Sequence, residues 1–284
     1  MTTQPRFVLG AVAYAPKVVT IWEGFKAHFE ARGLPFDFVL YSNYESQVRA
    51  HLCGDCHVAW NSPLAWIETE RLAARRGRVA SAIAMRDTDC DLTSVVVVRK
   101  GSGIRALADL RGKRVAVGAT DSPQATLIPL DLIAAAGLRP NADFDVVHFN
   151  VGQGKHGDHI GGERDAARAL MQGEVDAACM IDGNHLLFAR EGTLAPGATR
   201  ILARTRSYDH CNFTVLDGAP RERLERFTAL LLSMSYDDPA TRPLMDLEGL
   251  KAWVPGRTSG YAQLERACER FGWLEPFLRR MGAA

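Results

Sequence analysis

The sequence predicts an α/β protein of two doubly wound lobes with a central cleft. Three observations lead there. The chain has 284 residues, more than one hydrophobic core comfortably serves. Short apolar runs alternate with amphipathic, glycine-stopped segments along most of its length, the pattern of strands and helices in βαβ units. One local pattern also occurs twice: residues 52–68 and 171–188 each read as a helix end, a glycine stop, a short apolar strand, a polar turn and a new helix. The turns Asn61-Ser62-Pro63 and Asp182-Gly183-Asn184 lie about 120 residues apart. Each stands where a strand hands over to a helix, the sheet edge at which α/β folds bind ligands.

The elements follow in order. Phe7–Ala13 is an unbroken apolar run of strand length, suited to burial on both faces. Tyr14-Ala15-Pro16 turns the chain into a helix over Lys17–Arg32, stopped by Gly33. A strand at Phe36–Tyr41 precedes a helix from Asn43, an N-cap residue type, to Leu52. Cys56–Trp60 is a third strand and Pro63 to Arg75 a third helix. Val79–Met85 and the β-branched Thr93–Val98 are further strands. A second unit repeats the scheme: strand Lys113–Gly118, helix Pro123–Ala136, strand Asp145–Asn150, a glycine- and histidine-rich loop over Gly152–Gly162, helix Glu163–Gln172, strand Asp176–Ile181, helix Asn184–Arg190 and strand Arg200–Thr205. The tail reads as helical over Arg221–Ser235, Leu244–Ala252 and Tyr261–Met281. The expected division is a discontinuous first lobe, 1–97 with 206–284, around a second lobe, 98–205.

Composition narrows the partners. Hydrophobic residues make up 47% and charged residues 24%, and the formal net charge is +1. That balance excludes a polyelectrolyte partner, so no nucleic acid is expected. The longest unbroken valine run, Val95–Val98, is far too short to span a bilayer, so no membrane insertion is expected. The N-terminus has neither a basic segment nor a long apolar one, so the chain reads as cytoplasmic, or periplasmic if a leader has been removed. Six cysteines without an export signal point to reduced thiols. The pair Cys53–Cys56 has zinc or redox spacing but no second pair to match it, and reads as a helix end followed by a strand start.

Three constellations carry ligand chemistry. The first is the turn with Thr120, Asp121, Ser122 and Gln124, where a strand ends at Gly118 and a helix opens on Pro123. Unpaired N–H groups and the helix dipole make such a turn an anion site. Asn61 and Ser62 repeat the design ahead of Pro63, and Tyr14 ahead of Pro16. The second is the loop with His156 and His159, which ligate a metal, donate hydrogen bonds to an anion beside Lys155, or simply face solvent. The third is Asp182 with His185, an acceptor and a titratable ring at the end of the second copy. No nucleophile elbow, nucleotide phosphate loop, His-Glu-x-x-His or dinucleotide fingerprint is present, and neither a cofactor nor a resident metal is expected.

Trp60–Trp66, Ser94–Gly118 and Gly173–Ala178 resemble the phosphonate- and phosphite-type substrate-binding proteins of ABC transporters, with Ser102–Gly118 the most specific stretch. Val254-Pro255 and Tyr261 fit as well, so the resemblance covers nearly the whole chain. It implies a type II periplasmic-binding-protein fold, two lobes joined by two crossing strands and closing on a small oxyanion, with an ABC permease as partner if the chain is exported. It places Tyr14, Ser62, the 120–124 turn, the His156/His159 region and Asp182 near the cleft. This chain departs from the family at Asp121, where a Ser/Thr-rich turn is usual, and at His57, where an aspartate opens the strand. The expected function is binding of a small polar, anionic ligand by hinge closure. The alternative is a cytoplasmic enzyme on the same fold, a decarboxylase or dehydratase using cleft histidines and aspartates.

Overall fold

The computed structural model describes residues 5–157 and 161–282. They form two compact units, the first from residues 1–90, 209–261 and 275–284, the second from residues 91–208 and 262–274. Residues 91–97, 206–208 and 262–274 thus group with the second unit.

The first unit begins with β1 (Phe7–Val12), α1 (Lys17–Glu30), β2 (Phe36–Tyr41), α2 (Tyr44–Cys53), β3 (Val58–Asn61), α3 (Pro63–Arg75) and β4 (Ala80–Arg86). Local chemistry sets these boundaries. Asn43 Oδ1 accepts from Ser46 N at 2.8 Å and caps α2, and Gly54 ends that helix at φ +86°. Ser62 Oγ accepts from Ala65 N at 3.1 Å, and Pro63 takes the first position of α3. Cys53 is exposed at the end of α2, while Cys56 is buried with its thiol pushed up to about 12, chiefly by burial. The pair is a helix end and a strand approach, as its spacing suggested.

The second unit contains β5 (Ser94–Arg99), β6 (Arg114–Val117), α4 (Ile128–Ala135), β7 (Asp145–His148), α5 (Gly161–Gln172), β8 (Ala177–Ile181), α6 (Asp182–Glu191) and β9 (Thr199–Arg204). The chain then returns to the first unit for β10 (Asn212–Leu216), α7 (Arg221–Leu232), α8 (Arg242–Glu248) and β11 (Trp253–Pro255). It ends in α9 (Ala262–Arg270) and α10 (Leu274–Gly282).

The first sheet has the order β11-β4-β10-β3-β1-β2, the second β7-β6-β8-β5-β9. Both are mixed, where strand–helix alternation alone suggested parallel sheets. β1 pairs in parallel with β2 and β3, but β10 runs antiparallel between β3 and β4, and β5 runs antiparallel to β8 and β9. β5 and β10 are the strands by which the chain enters the second unit and comes back, and β11 adds a further antiparallel edge on β4.

Each core explains its sequence. In the first unit Phe7, Phe25, Phe29, Phe36, Phe213 and Phe227 pack with Trp22 and Trp253. In the second, Val95 and Val97 face Ala166, Leu170 and Phe188, while Val96 and Val98 face Leu110, Ile133 and Phe144. Four successive valines are buried because their strand is covered on both faces.

Candidate ligand-binding site

In the second unit the C-terminal ends of β6, β7 and β8 lie side by side. The turn after β6 is built by side chains that reach back to it. Thr120 donates from both N and Oγ1 to Asn150 Oδ1, at 3.0 and 2.9 Å. Ser122 Oγ accepts from Ala125 N at 3.2 Å, and Thr126 Oγ1 donates to Ala119 O at 2.7 Å. Residues Pro123–Leu127 form one π-helical turn before α4, with Leu127 N donating to Ser122 O at 3.0 Å. Such widened turns collect at functional sites. Gln124 Nε2 donates to Gly157 O at 3.0 Å, and Ser94 Oγ donates to Gln124 O at 2.6 Å. Because that donation uses the one proton of Ser94, Tyr208 OH is the donor in their 2.6 Å contact.

Asp121 sits in this turn almost fully buried. Burial raises its pKa against the pull of backbone N–H groups at Gly154, Asp121 itself and His156. Its Oδ2 accepts from Gly154 N at 2.6 Å, so the carboxylate is spent on holding the 151–157 segment. That answers the conflict between an aspartate and an anion site: the acid is turned to backbone donors in a place that favours its neutral form. His156 is buried at φ +53° and pushed down to about 3 by burial, so its ring is neutral at physiological pH. Gly157, at φ +60°, lies so close to Ser122 that an added Cβ would stand 2.6 Å from the serine Cβ. His159 lies outside the described residues.

Asp182 and His185 occupy the neighbouring β8–α6 junction. Asp182 is the first residue of α6 and pairs with Arg204 at 2.5 Å, while His185 Nε2 lies 3.2 Å from Thr199 Oγ1. Burial lowers the pKa of His185. Glu163, buried in the first turn of α5, accepts from Ile181 N and Asn184 Nδ2 at 3.0 and 2.7 Å and ties α5 to the same edge.

In the first unit Tyr14 and Ser62 follow the ends of adjacent β1 and β3. Tyr14 is half-buried under Lys17, whose Nζ is 5.9 Å from its ring centroid. Asn61 is completely buried, and its Oδ1 accepts from Gln47 Nε2 at 2.7 Å while Nδ2 donates to Thr214 Oγ1 at 2.9 Å. The chain of bonds runs on through Asn212 and Tyr261 OH to His210 O. Asn61 therefore organises this strand end from inside. Thr120, Asp121, Ser122 and Gln124 share one turn, with His156 on the 151–157 segment held against it, Asp182 and His185 take the next junction, and Tyr14, Asn61 and Ser62 lie at strand ends of the other unit.

Sequence reading missed Asn150, Glu163, Ser94 and Arg204. Each is unremarkable in its local segment and matters only through partners distant in sequence: Asn150 follows β7, which pairs in parallel with β6, Glu163 lies on α5, and Ser94 and Arg204 lie on the antiparallel pair β5 and β9.

The chain belongs to the family of ABC transporter, phosphonate, periplasmic substrate-binding proteins, which it matches over residues 10–261. Its fold is shared by solved members of the wider class. It is similar to PhnD1 from Prochlorococcus marinus, solved in complex with methylphosphonate, at 15% identity and TM-score 0.68 over 94% of this chain and 98% of that one. XAC2383 from Xanthomonas citri, solved bound to ATP, matches at 15% identity and TM-score 0.69 over 99% of both chains. The periplasmic aliphatic sulphonate-binding protein SsuA from Escherichia coli matches at 16% and 0.57, over 95% and 93%. The fold expected from the sequence, α/β and periplasmic-binding-protein-like, is the one these proteins share.

Proposed function

We propose that this chain binds a small anion with a phosphonate, phosphate or carboxylate head, its two units closing on the ligand, and that it delivers this ligand to an ABC permease. The observation that carries the reading is the turn between β6 and α4. It joins a strand end, a widened first helical turn and the Thr120–Asn150 clasp at the sheet edge where α/β folds take ligands. The Thr120–Asn150 clasp fixes the backbone of the turn, and the Asp121 carboxyl is engaged with Gly154 N, away from the ligand. The family supports the same reading, and nothing in the comparisons supports the lyase alternative.

The family's periplasmic setting supports capture outside the inner membrane, and among the described residues no helix is long and apolar enough to cross a membrane. Fractionation of cells making the natural gene product tests that location, and recovery in the cytoplasmic fraction would overturn it.

Calorimetric titration with methylphosphonate, inorganic phosphate, an alkanesulfonate and acetate tests the function. At least one should bind, and Thr120→Ala should weaken that binding by about tenfold, because it removes the side-chain half of the clasp on Asn150 that shapes the turn. Absence of heat and of thermal shift with every probe, or a Thr120→Ala protein that binds as tightly as the parent, would sink the proposal.

A further inference from the structure

A second cluster of chemistry lies in the first unit, in the segments by which the chain leaves it and comes back. Asp89, His210 and Cys211 are all buried, and one ligand-type atom from each falls within 4.8 Å of the other two. His210 Nδ1 stands 3.1 Å from Cys211 Sγ and 3.4 Å from Asp89 Oδ1. Atoms bound to one tetrahedral zinc-type ion at 2.0–2.3 Å are about 3.3–3.6 Å apart, so only small shifts are needed. We propose that Asp89, His210 and Cys211 form a site for one borderline-soft divalent cation of the zinc type, held through a carboxylate oxygen, Nδ1 and Sγ.

Three features support this. The carboxylate is oriented from behind: Arg86 Nε and Nη2 donate to Asp89 Oδ2 and Oδ1 at 2.5 and 2.9 Å, and each oxygen keeps a further lone pair. The two segments are pinned together, since His210 N donates to Asp89 O at 2.8 Å. The charges also favour a cation. Arg86 faces Asp89 and, at 3.9 Å, a second buried carboxylate on Glu248, so one guanidinium meets two acids. A divalent cation would sit beside these carboxylates with favourable sign. With Asp89, Glu248 and a Cys211 thiolate at −3 and Arg86 with a divalent ion at +3, the cluster is neutral. The thiol proton passes to solvent as the sulfur–metal bond forms. His210 turns Nδ1 toward both of the other donors. Thiolate and imidazole donors select zinc-type ions over magnesium or calcium.

Cobalt(II) is the probe, because a Co–thiolate bond has its own charge-transfer absorption. The chelator-treated full chain should take up one equivalent and show both that absorption and the visible bands of a tetrahedral site. Cys211→Ser should abolish the charge transfer. Cys211→Ser and His210→Ala should each weaken binding by more than about 100-fold, beyond the loss expected for an outer-shell partner. Cys53→Ser, at the exposed end of α2, should change nothing. Zinc should raise the melting temperature of the parent and leave that of His210→Ala unmoved, which keeps the test open if the serine variant folds poorly. No charge transfer in the folded parent, or bands that survive in Cys211→Ser, would overturn the assignment.

Discussion

At the scale of single residues, similar positions in the two copies of the repeated pattern do opposite jobs. Asn61 ends β3 and Asp182 opens α6 directly after β8, yet Asn61 is sealed inside a hydrogen-bond chain while Asp182 meets Arg204 at a partly exposed junction. Truncating Asn61 leaves Gln47 Nε2 and Thr214 Oγ1 short of a partner in a place without water. Asn61→Ala should therefore cost about 2–4 kcal/mol, more than the net worth of one hydrogen bond, because buried groups are left unsatisfied. Denaturant unfolding measures it, and a loss under about 0.5 kcal/mol would mean the network is slack. Sequence pattern located Asn61 correctly at a strand end. It offered no way to tell an inward amide from a ligand-facing one, since that depends on Gln47 and Thr214, 14 residues before it and 153 after it.

At the scale of elements, most helices and strands were legible because caps and stops are local. Asn43, Ser62, Pro63 and Gly54 do what their residue types suggest. The failures have non-local causes. β10 went unread because Asn212–Leu216 is only five residues long, and all five are buried only after insertion between β3 and β4. The tail read as one helix over Tyr261–Met281 is two, α9 and α10, parted where Gly272 turns at φ +61°. The π-helical turn at 123–127 looked like plain helix, since nothing in Pro-Gln-Ala-Thr-Leu specifies the wider winding. One element sets the site by contact alone: α5 begins against the 118–119 backbone. A Cβ on Gly162 would stand 2.3 Å from Phe149 O and 3.2 Å from Gly118 Cα. Gly162→Ala should push α5 off the turn, destabilise by about 1–3 kcal/mol and weaken anion binding. A variant with the parent's melting temperature and affinity would show that the contact is soft.

At the scale of the whole molecule, buried histidines tie stability to pH. Burial pushes His51 down to about 4 and His156 to about 3. In the unfolded chain both titrate near 6.5, so below that value the unfolded state takes up protons that the folded state refuses. Stability should fall as pH drops from about 6.5 toward 4, by about 1.4 kcal/mol per unit for each ring. Asp89, which burial pushes up but Arg86 and His210 hold down at about 2, enters only in stronger acid. Calorimetry at pH 7.5 and pH 5 should show a melting temperature several degrees lower in acid, with a smaller drop in His51→Leu; equal or higher melting at pH 5 would contradict the account. The placement of β10 has a different consequence, for the order of events at the ribosome. Residues 1–90 emerge with β3 and β4 already made, but the strand that belongs between them is not translated until about 120 residues later. During that interval two apolar strands offer open edges to any passing chain. The nascent first unit therefore stays unfinished while the second is being made: the gap between β3 and β4 fills only when synthesis has passed Leu216, and the sheet is complete only after β11.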